Sequence, residues 1–361
     1  MSLINDFSEI NILKKNIQKQ NSSILHRVTL EISFGCNQHC LHCYKDAGPD
    51  LLLNDRKGFR NYPLILQRLR DFGFYELKLT GGEPLLYPSL KELLSEAQQL
   101  GFHVSLISGG SAGTKEQWHY LGHSLEHIWF SLCHIEASIH DNLVQREGAL
   151  NSLWRHFDLI SEYKVKRGVY LLLNSYLIDD LKRILTYLCR RGVHAIKILW
   201  PSPQGAALRN WSKYSISILR WPDVQETASH VSQKYPEVKI SLARHAIHNG
   251  KLFKKALKQD YRLSCNYGDS NVWGVDPEGL LYPCCLLTNN ANYAIGHVLD
   301  LSFREVKRRL AGFVLRDLQR NPPVGPLSGT GFCPAMLNSS GQDLRFNKGS
   351  SPVCPLFQIS I

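Results

Sequence analysis

The chain has 361 residues, 43% of them hydrophobic and 20% charged, which excludes a disordered chain or a peptide-sized scaffold and leaves room for one large domain and a smaller one. Lys plus Arg number 42 against 31 Asp plus Glu, a net charge of +11, so a nucleic acid, an acidic peptide or a small anion is an expected partner, beside the plainer reading of a solvated basic surface. No run reaches the about 18 consecutive apolar residues of a membrane span, and the polar start containing Asp6 and Glu9 does not read as a signal peptide, so a soluble cytoplasmic protein is expected.

From Val28 to Leu199 short β-rich apolar runs alternate with amphipathic stretches, the pattern of βα units around a parallel sheet. Strands are predicted at Val28–Phe34, Tyr75–Leu79, His103–Ile107, His127–Ser131, Val169–Leu173 and Ala195–Leu199. Helices between them include Tyr62–Phe72, Ser89–Leu100, Asn151–Tyr163 and Asp179–Arg191. Gly73, Gly101, Gly168 and Gly192 are placed to end helices ahead of the next strand. Six parallel strands joined by right-handed crossovers curl into a partial barrel whose site lies at the C-terminal strand ends. After Trp200 the pattern changes to a loop at Pro201–Gly205, a helix at Pro222–Lys234 and a hairpin over Asn271–Pro283 turning at Asp276–Gly279, so a second, smaller unit is expected. From Asn321 to Pro352 the composition is that of irregular loop.

Ten cysteines in a chain without a secretory signal point to metal rather than to disulfides. Cys36, Cys40 and Cys43 follow the first predicted strand on one tight loop, close enough to hold three corners of an iron–sulfur cube and leave one iron open. Zinc is the alternative, although structural zinc takes four ligands and no fourth lies nearby. Cys265, Cys284, Cys333 and Cys354 form a second, dispersed set.

CxxxCxxC at Cys36–Cys43 after the first strand, with Thr80-Gly-Gly-Glu-Pro84 after the second, resembles the radical S-adenosylmethionine (SAM) superfamily. Ser131–Asp141, with its His140-Asp141, and Pro203-Gln-Gly205 resemble later segments of that family, although Cys133-His134 stands where relatives commonly have Asp-Gly. The Cys265, Gly279, Cys284 spacing is similar to the opening of SPASM and twitch extensions, and the shorter remainder makes twitch the better likeness. The resemblance implies an α/β fold: a partial (β/α)6 radical SAM barrel over 26–210, after an N-terminal extension at 1–25. A helical linker at 211–260 and a twitch/SPASM-like Fe–S domain at 261–361 would follow.

It implies two [4Fe–4S] clusters. One is SAM-binding on Cys36, Cys40 and Cys43, and one is auxiliary on Cys265, Cys284, Cys333 and Cys354, for which one zinc ion is the alternative. By the same resemblance Gly81, Gly82, Glu83 and Pro84 contact SAM, His42 lies near adenine, Ser108 near the ribose, and Ser131 and Arg146 near the carboxylate. In the family SAM is cleaved reductively to a 5′-deoxyadenosyl radical that removes hydrogen from substrate. From position alone Tyr44, His134, Asn174, Tyr176 and Trp200 are substrate candidates.

The expected activity is oxidative modification of a ribosomally made peptide, by cross-linking or dehydrogenation. The alternatives are a dehydrogenase of a sugar or aminocyclitol and an Fe–S or zinc protein that grips nucleic acid. Expected partners are the precursor peptide or small-molecule substrate and a flavodoxin- or ferredoxin-like reductant. The stretch before the first strand is short for an added peptide-recognition domain, so a separate recognition protein or direct binding of the peptide is expected.

Overall fold

The computed structural model describes residues 27–51, 61–202, 204–216, 220–242, 273–288 and 290–310. Pro203, Cys265, Cys333, Cys354, the 1–25 extension and the expected loop at 321–352 lie outside them. Ten strands form one sheet: β1 (Arg27–Glu31), β2 (Glu76–Thr80), β3 (His103–Ser108), β4 (His127–Leu132), β5 (Lys166–Leu172), β6 (Ala195–Leu199), β7 (Lys239–Leu242), β8 (Trp273–Val275), β9 (Leu280–Tyr282) and β10 (Gly296–His297). Their order is β10-β9-β8-β1-β2-β3-β4-β5-β6-β7. Pairing is parallel from β8 through β1 to β7, and only the β8–β9 and β9–β10 pairs are antiparallel.

The principal helices are α1 (Tyr62–Asp71), α2 (Leu90–Gln99), α3 (Lys115–Ser124), α4 (Ala137–Val144), α5 (Ala149–Leu159), α6 (Leu181–Arg190), the short α7 (Gly205–Arg209) and α8 (Trp211–Tyr214), and α9 (Trp221–Lys234). Strand residues alternate, as a pleated sheet with two unlike faces requires. On β4, Ile128, Phe130 and Leu132 are buried and His127, Trp129 and Ser131 are half-buried. The buried set joins Leu66 and Leu69 of α1, Leu93 and Leu94 of α2, Trp118 of α3, Phe157 of α5 and Leu188 of α6 in one core. A capping box starts α3: Thr114 Oγ1 accepts from Gln117 N at 3.3 Å and Gln117 Oε1 from Thr114 N at 2.8 Å, a device worth about 1 kcal/mol.

On the opposite face, Lys78 Nζ of β2 donates to Tyr170 Oη of β5 at 2.6 Å. In a flat sheet these strands, three places apart, would be separated by about 14 Å. The contact across that face therefore records a curled sheet.

The six predicted strands and the hairpin are present, the latter with Gly279 N donating to Asp276 O at 3.0 Å and Gly279 at φ +85°. Gly73, Gly101 and Gly192 take positive φ after α1, α2 and α6. Gly168 does not cap a helix. It sits inside β5 opposite Trp129, and a Cβ there would meet the Trp129 ring at 2.5 Å. The expected loop at Pro201–Gly205 ends one residue early, since Gly205 begins α7. β7, which no predicted element covers, continues the sheet beyond β6, while β8 adds to the other flank on β1.

Candidate active site

Because β1 to β6 are parallel, their following loops leave one edge of the sheet. The cysteine loop leaves β1 and is tied down along its length. Cys36 N donates to Gly48 O at 3.1 Å, His39 N to Val144 O at 3.2 Å, Leu41 N to Leu143 O at 2.9 Å, and Ala207 N to Cys43 O at 3.1 Å. Gln38 Nε2 donates to Ser111 Oγ at 2.8 Å and Asn37 Nδ2 to Ser111 O at 3.1 Å, which links the loop to the one after β3.

The Gly-Gly-Glu-Pro segment braces the same loop from β2. Gly82 N donates to Ser33 O at 2.8 Å and Glu83 N to Gly35 O at 2.9 Å. A Cβ on Gly82 would lie 2.0 Å from Gly35 O, and one on Gly81, at φ +143°, 2.4 Å from Ser33 O. Both glycines are thus required by the close passage of two backbones. Glu83 is buried, and its carboxylate accepts from Ser108 Oγ at 2.8 Å, Gly109 N at 2.9 Å and Leu85 N at 3.2 Å. Burial pushes its carboxyl up to about 7 despite these donors.

Burial pushes the Cys36 thiol up to about 12, aided by the charges of Glu83 and Cys43. Cys40 is raised by burial and then by Cys43 and Cys36, and Cys43 by burial. Cys36 is buried and Cys40 and Cys43 are half-buried, and three thiols raised in this way make poor thiolates by themselves. A metal ion or cluster reverses that cost, because its positive charge deprotonates the sulfur it binds. The donor set therefore fits an iron–sulfur cluster held on three sides.

The other predicted site residues fall into groups. His42 is pushed down to about 4 by burial and by His140, sits edge-on to Tyr214 at 6.3 Å between ring centroids, and has Nε2 3.6 Å from Cys133 Sγ. Arg146 Nη1 donates to Asn37 O at 2.9 Å, which places its guanidinium against the cysteine loop. Ser108 Oγ, besides its bond to Glu83, accepts from Gly110 N at 2.9 Å. Ser131 lies half-buried on β4, on the face shared with Trp129, beside Tyr170 in register. Asp141 holds the start of α5, accepting from Gly148 N at 2.7 Å and Leu150 N at 2.9 Å, while His140 Nδ1 accepts from Cys133 N at 3.3 Å.

Of the substrate candidates, Asn174 has its amide committed to Cys133 O at 2.9 Å and Leu172 O at 3.0 Å, and its carbonyl to Tyr176 N and Leu177 N, each at 3.1 Å. Trp200 is buried and Tyr176 exposed. His134 is buried with Nδ1 accepting from Glu136 N at 3.1 Å, and Tyr44 is half-buried with its phenol raised by burial and by Glu31.

Of the second cysteine set the described residues include Cys284, adjacent to Cys285. A Cβ on Gly274 of β8 would meet Cys285 Cα at 2.8 Å, so this segment lies directly on the strand. The Cys285 thiol is drawn down to about 7 by a hydrogen bond from Cys284 and by Lys78 and Lys197, against the opposing effect of burial. Sequence reading missed Lys45. Two residues past Cys43, its ammonium is 2.6 Å from Glu31 Oε2 and donates to Thr288 Oγ1 at 2.8 Å. No local pattern marks a contact that spans 243 residues of sequence.

Residues 30–198 match the Radical SAM superfamily. The chain carries a radical SAM domain, the domain of an enzyme. Among curated relatives, the chain is 30% identical over 153 residues to PqqA peptide cyclase of Xanthomonas euvesicatoria pv. vesicatoria (strain 85-10), covering 42% of this chain and 39% of that protein. It is 22% identical over 288 residues to the sporulation killing factor maturation protein SkfB of Bacillus subtilis (strain 168), covering 77% of this chain and 63% of that protein. The chain thus matches less than two thirds of either relative's length. Streptococcus suis SuiB bound to precursor peptide SuiA aligns with TM-score 0.65 at 15% identity over 93% of this chain and 79% of that one, a likeness of fold. No helix among the described residues is long and apolar enough to cross a membrane.

Proposed function

We propose that this radical SAM enzyme modifies a ribosomally made peptide by an oxidation that cross-links or dehydrogenates side chains. The observation that carries the chemistry is the three thiols of Cys36, buried, and Cys40 and Cys43, half-buried, on one loop braced from β2 and β3. The peptide is supported by the relatives, a peptide cyclase and a peptide maturation protein. The three cysteines would hold a [4Fe–4S] cluster, which with bound SAM supplies one-electron cleavage of the sulfonium and a carbon radical able to remove hydrogen from substrate.

The chain's own residues bind and orient. The segment Gly81–Pro84 and Ser131 would flank SAM, and Arg146, fixed at Asn37, would offer its remaining N–H groups to the SAM carboxylate. Ser108 would act through Glu83, to which its hydroxyl is already donated. His42, kept neutral by burial, would present an uncharged ring to the adenine. Cys284, with Cys265, Cys333 and Cys354, would hold an auxiliary cluster that accepts the electron left by substrate oxidation.

The test is anaerobic reconstitution with iron and sulfide, then SAM and dithionite, beside a Cys36/Cys40/Cys43→Ala variant. About eight irons per chain, falling to about four in the variant with loss of 5′-deoxyadenosine, is expected for two four-iron clusters. Stoichiometric zinc and no 5′-deoxyadenosine would overturn the reading. A precursor peptide losing the mass of two hydrogens on turnover is the expected product.

A further inference from the structure

The inner face of the curled sheet carries two lysines whose charge nothing in the proposed chemistry uses. Lys78 points inward from the middle of β2 and Lys197 from the middle of β6. Both ammoniums gather on one aromatic ring, that of Tyr170, with Nζ 5.3 Å and 5.8 Å from its centroid. Lys78 also donates to the phenol oxygen at 2.6 Å. Trp129 stacks behind Tyr170 at 4.7 Å and 16°, in the space that Gly168 leaves open. Two cations against a stacked aromatic pair make a rigid floor.

Both lysines are half-buried, and lysines withdrawn from water are ordinarily paired. Here the neighbouring carboxylates are taken: Glu76 by Arg27 and Glu31 by Lys45. Among the described residues neither Lys78 nor Lys197 forms an ion pair. Burial lowers Lys78 to about 8 and lowers Lys197 as well, with Arg27 adding to both. An anion entering between them would relieve that cost.

We propose that Lys78, Lys197 and the Tyr170 hydroxyl form a carboxylate-binding site inside the sheet, and that its occupant is an acidic side chain of the substrate peptide. The occupant is taken from the peptide reading above, while the anion chemistry stands on the lysines. Lys78 lies two residues before Thr80, about 6.6 Å along the strand. The carboxylate would therefore be anchored one layer beneath the loops that carry the cysteines and Glu83, leaving neighbouring substrate atoms at the strand ends.

The test is anaerobic calorimetry on the full, reconstituted chain with three probes: acetyl-Gly-Glu-Gly-amide, the Gln isostere and free glutarate. Variants are K78M and K197M, which keep the apolar stem, and K78R and K197R, which keep the charge. Thermal melts check that each folds. The Glu peptide is expected to bind at least fivefold tighter than the Gln peptide. That preference should fall to within twofold in each Met variant and return in each Arg variant. Equal binding of the two peptides, a preference that survives both Met variants, or no saturable binding of either carboxylate at millimolar concentration would overturn the site. Glutarate binding tighter than the Glu peptide would overturn the peptide occupant and keep the lysine site. Failure of the peptide reading is read separately, from the absence of a mass change on turnover.

Discussion

Glu31 at the end of β1 and Lys45 just beyond the third cysteine form an ion pair of 2.6 Å in which the side chains are 1% and 3% exposed. Thr288, donating to Glu31 Oε1 at 2.9 Å, makes it a three-way junction of first strand, cysteine loop and the segment that carries Cys284. Burial dominates over Lys45 and raises the Glu31 carboxyl, so the pair is costly to build and costlier to break. Lys45→Met is expected to lose about 3–5 kcal/mol of stability by leaving Glu31 buried alone. Glu31→Gln with Lys45→Met should recover part of that loss, as read by urea midpoints of the single and double variants.

Glu83 carries a pH signature. Its folded-state value of about 7 stands above the ordinary 4.5 because it is buried. Its contribution to stability is therefore fully present below 4.5 and lost as pH rises through 7, a change on the order of 3 kcal/mol. In the metal-free chain, the stability of wild type relative to Glu83→Gln should fall across this window. A difference that is flat or rises between pH 5 and 8 would contradict the assignment.

Gly82→Ala places a methyl group where Gly35 O stands 2.0 Å away. Backbone cannot yield as a side-chain tip can, so the cysteine loop must shift, at a cost of about 1–3 kcal/mol or more. Iron retained per chain after reconstitution should drop in parallel with the melting temperature. Full iron occupancy would show that the loop position is not set by this contact.

Gly168→Ala tests the inner face in the same way, because the new methyl meets the Trp129 ring. The indole must leave its stack on Tyr170. A shift in tryptophan fluorescence and a loss of about 1–3 kcal/mol are expected, together with weaker binding of the Glu peptide.

Asn174→Ala removes four hydrogen bonds, one that joins the ends of β4 and β5 and three that hold the turn after β5. At about 1 kcal/mol each, discounted for water entering the gap, a loss of about 2–4 kcal/mol is expected. A variant with normal stability and a raised KM would instead favour the substrate role that its position suggested.

The parallel sheet and the place of the cysteine loop can be read from the chain alone, because both are written in local patterns. Apolar alternation from Val28 to Leu199 names six strands, and three cysteines within eight residues after the first name a metal site. The hairpin was legible for the same reason, since Asp276-Pro-Glu-Gly279 carries its own turn chemistry. Features that depend on partners distant in the chain emerge only once it is folded. Gly168 reads as a helix cap, yet its purpose is the ring of Trp129, 39 residues earlier in sequence and adjacent in register. β7 is short and partly polar, and it becomes a strand by pairing with β6. Glu31, Lys45 and Thr288, and likewise Lys78, Tyr170 and Lys197, are unremarkable in sequence. The pairing of β8 with β1 brings the first trio together and curling of the sheet the second, and withdrawal from water then makes their charges matter.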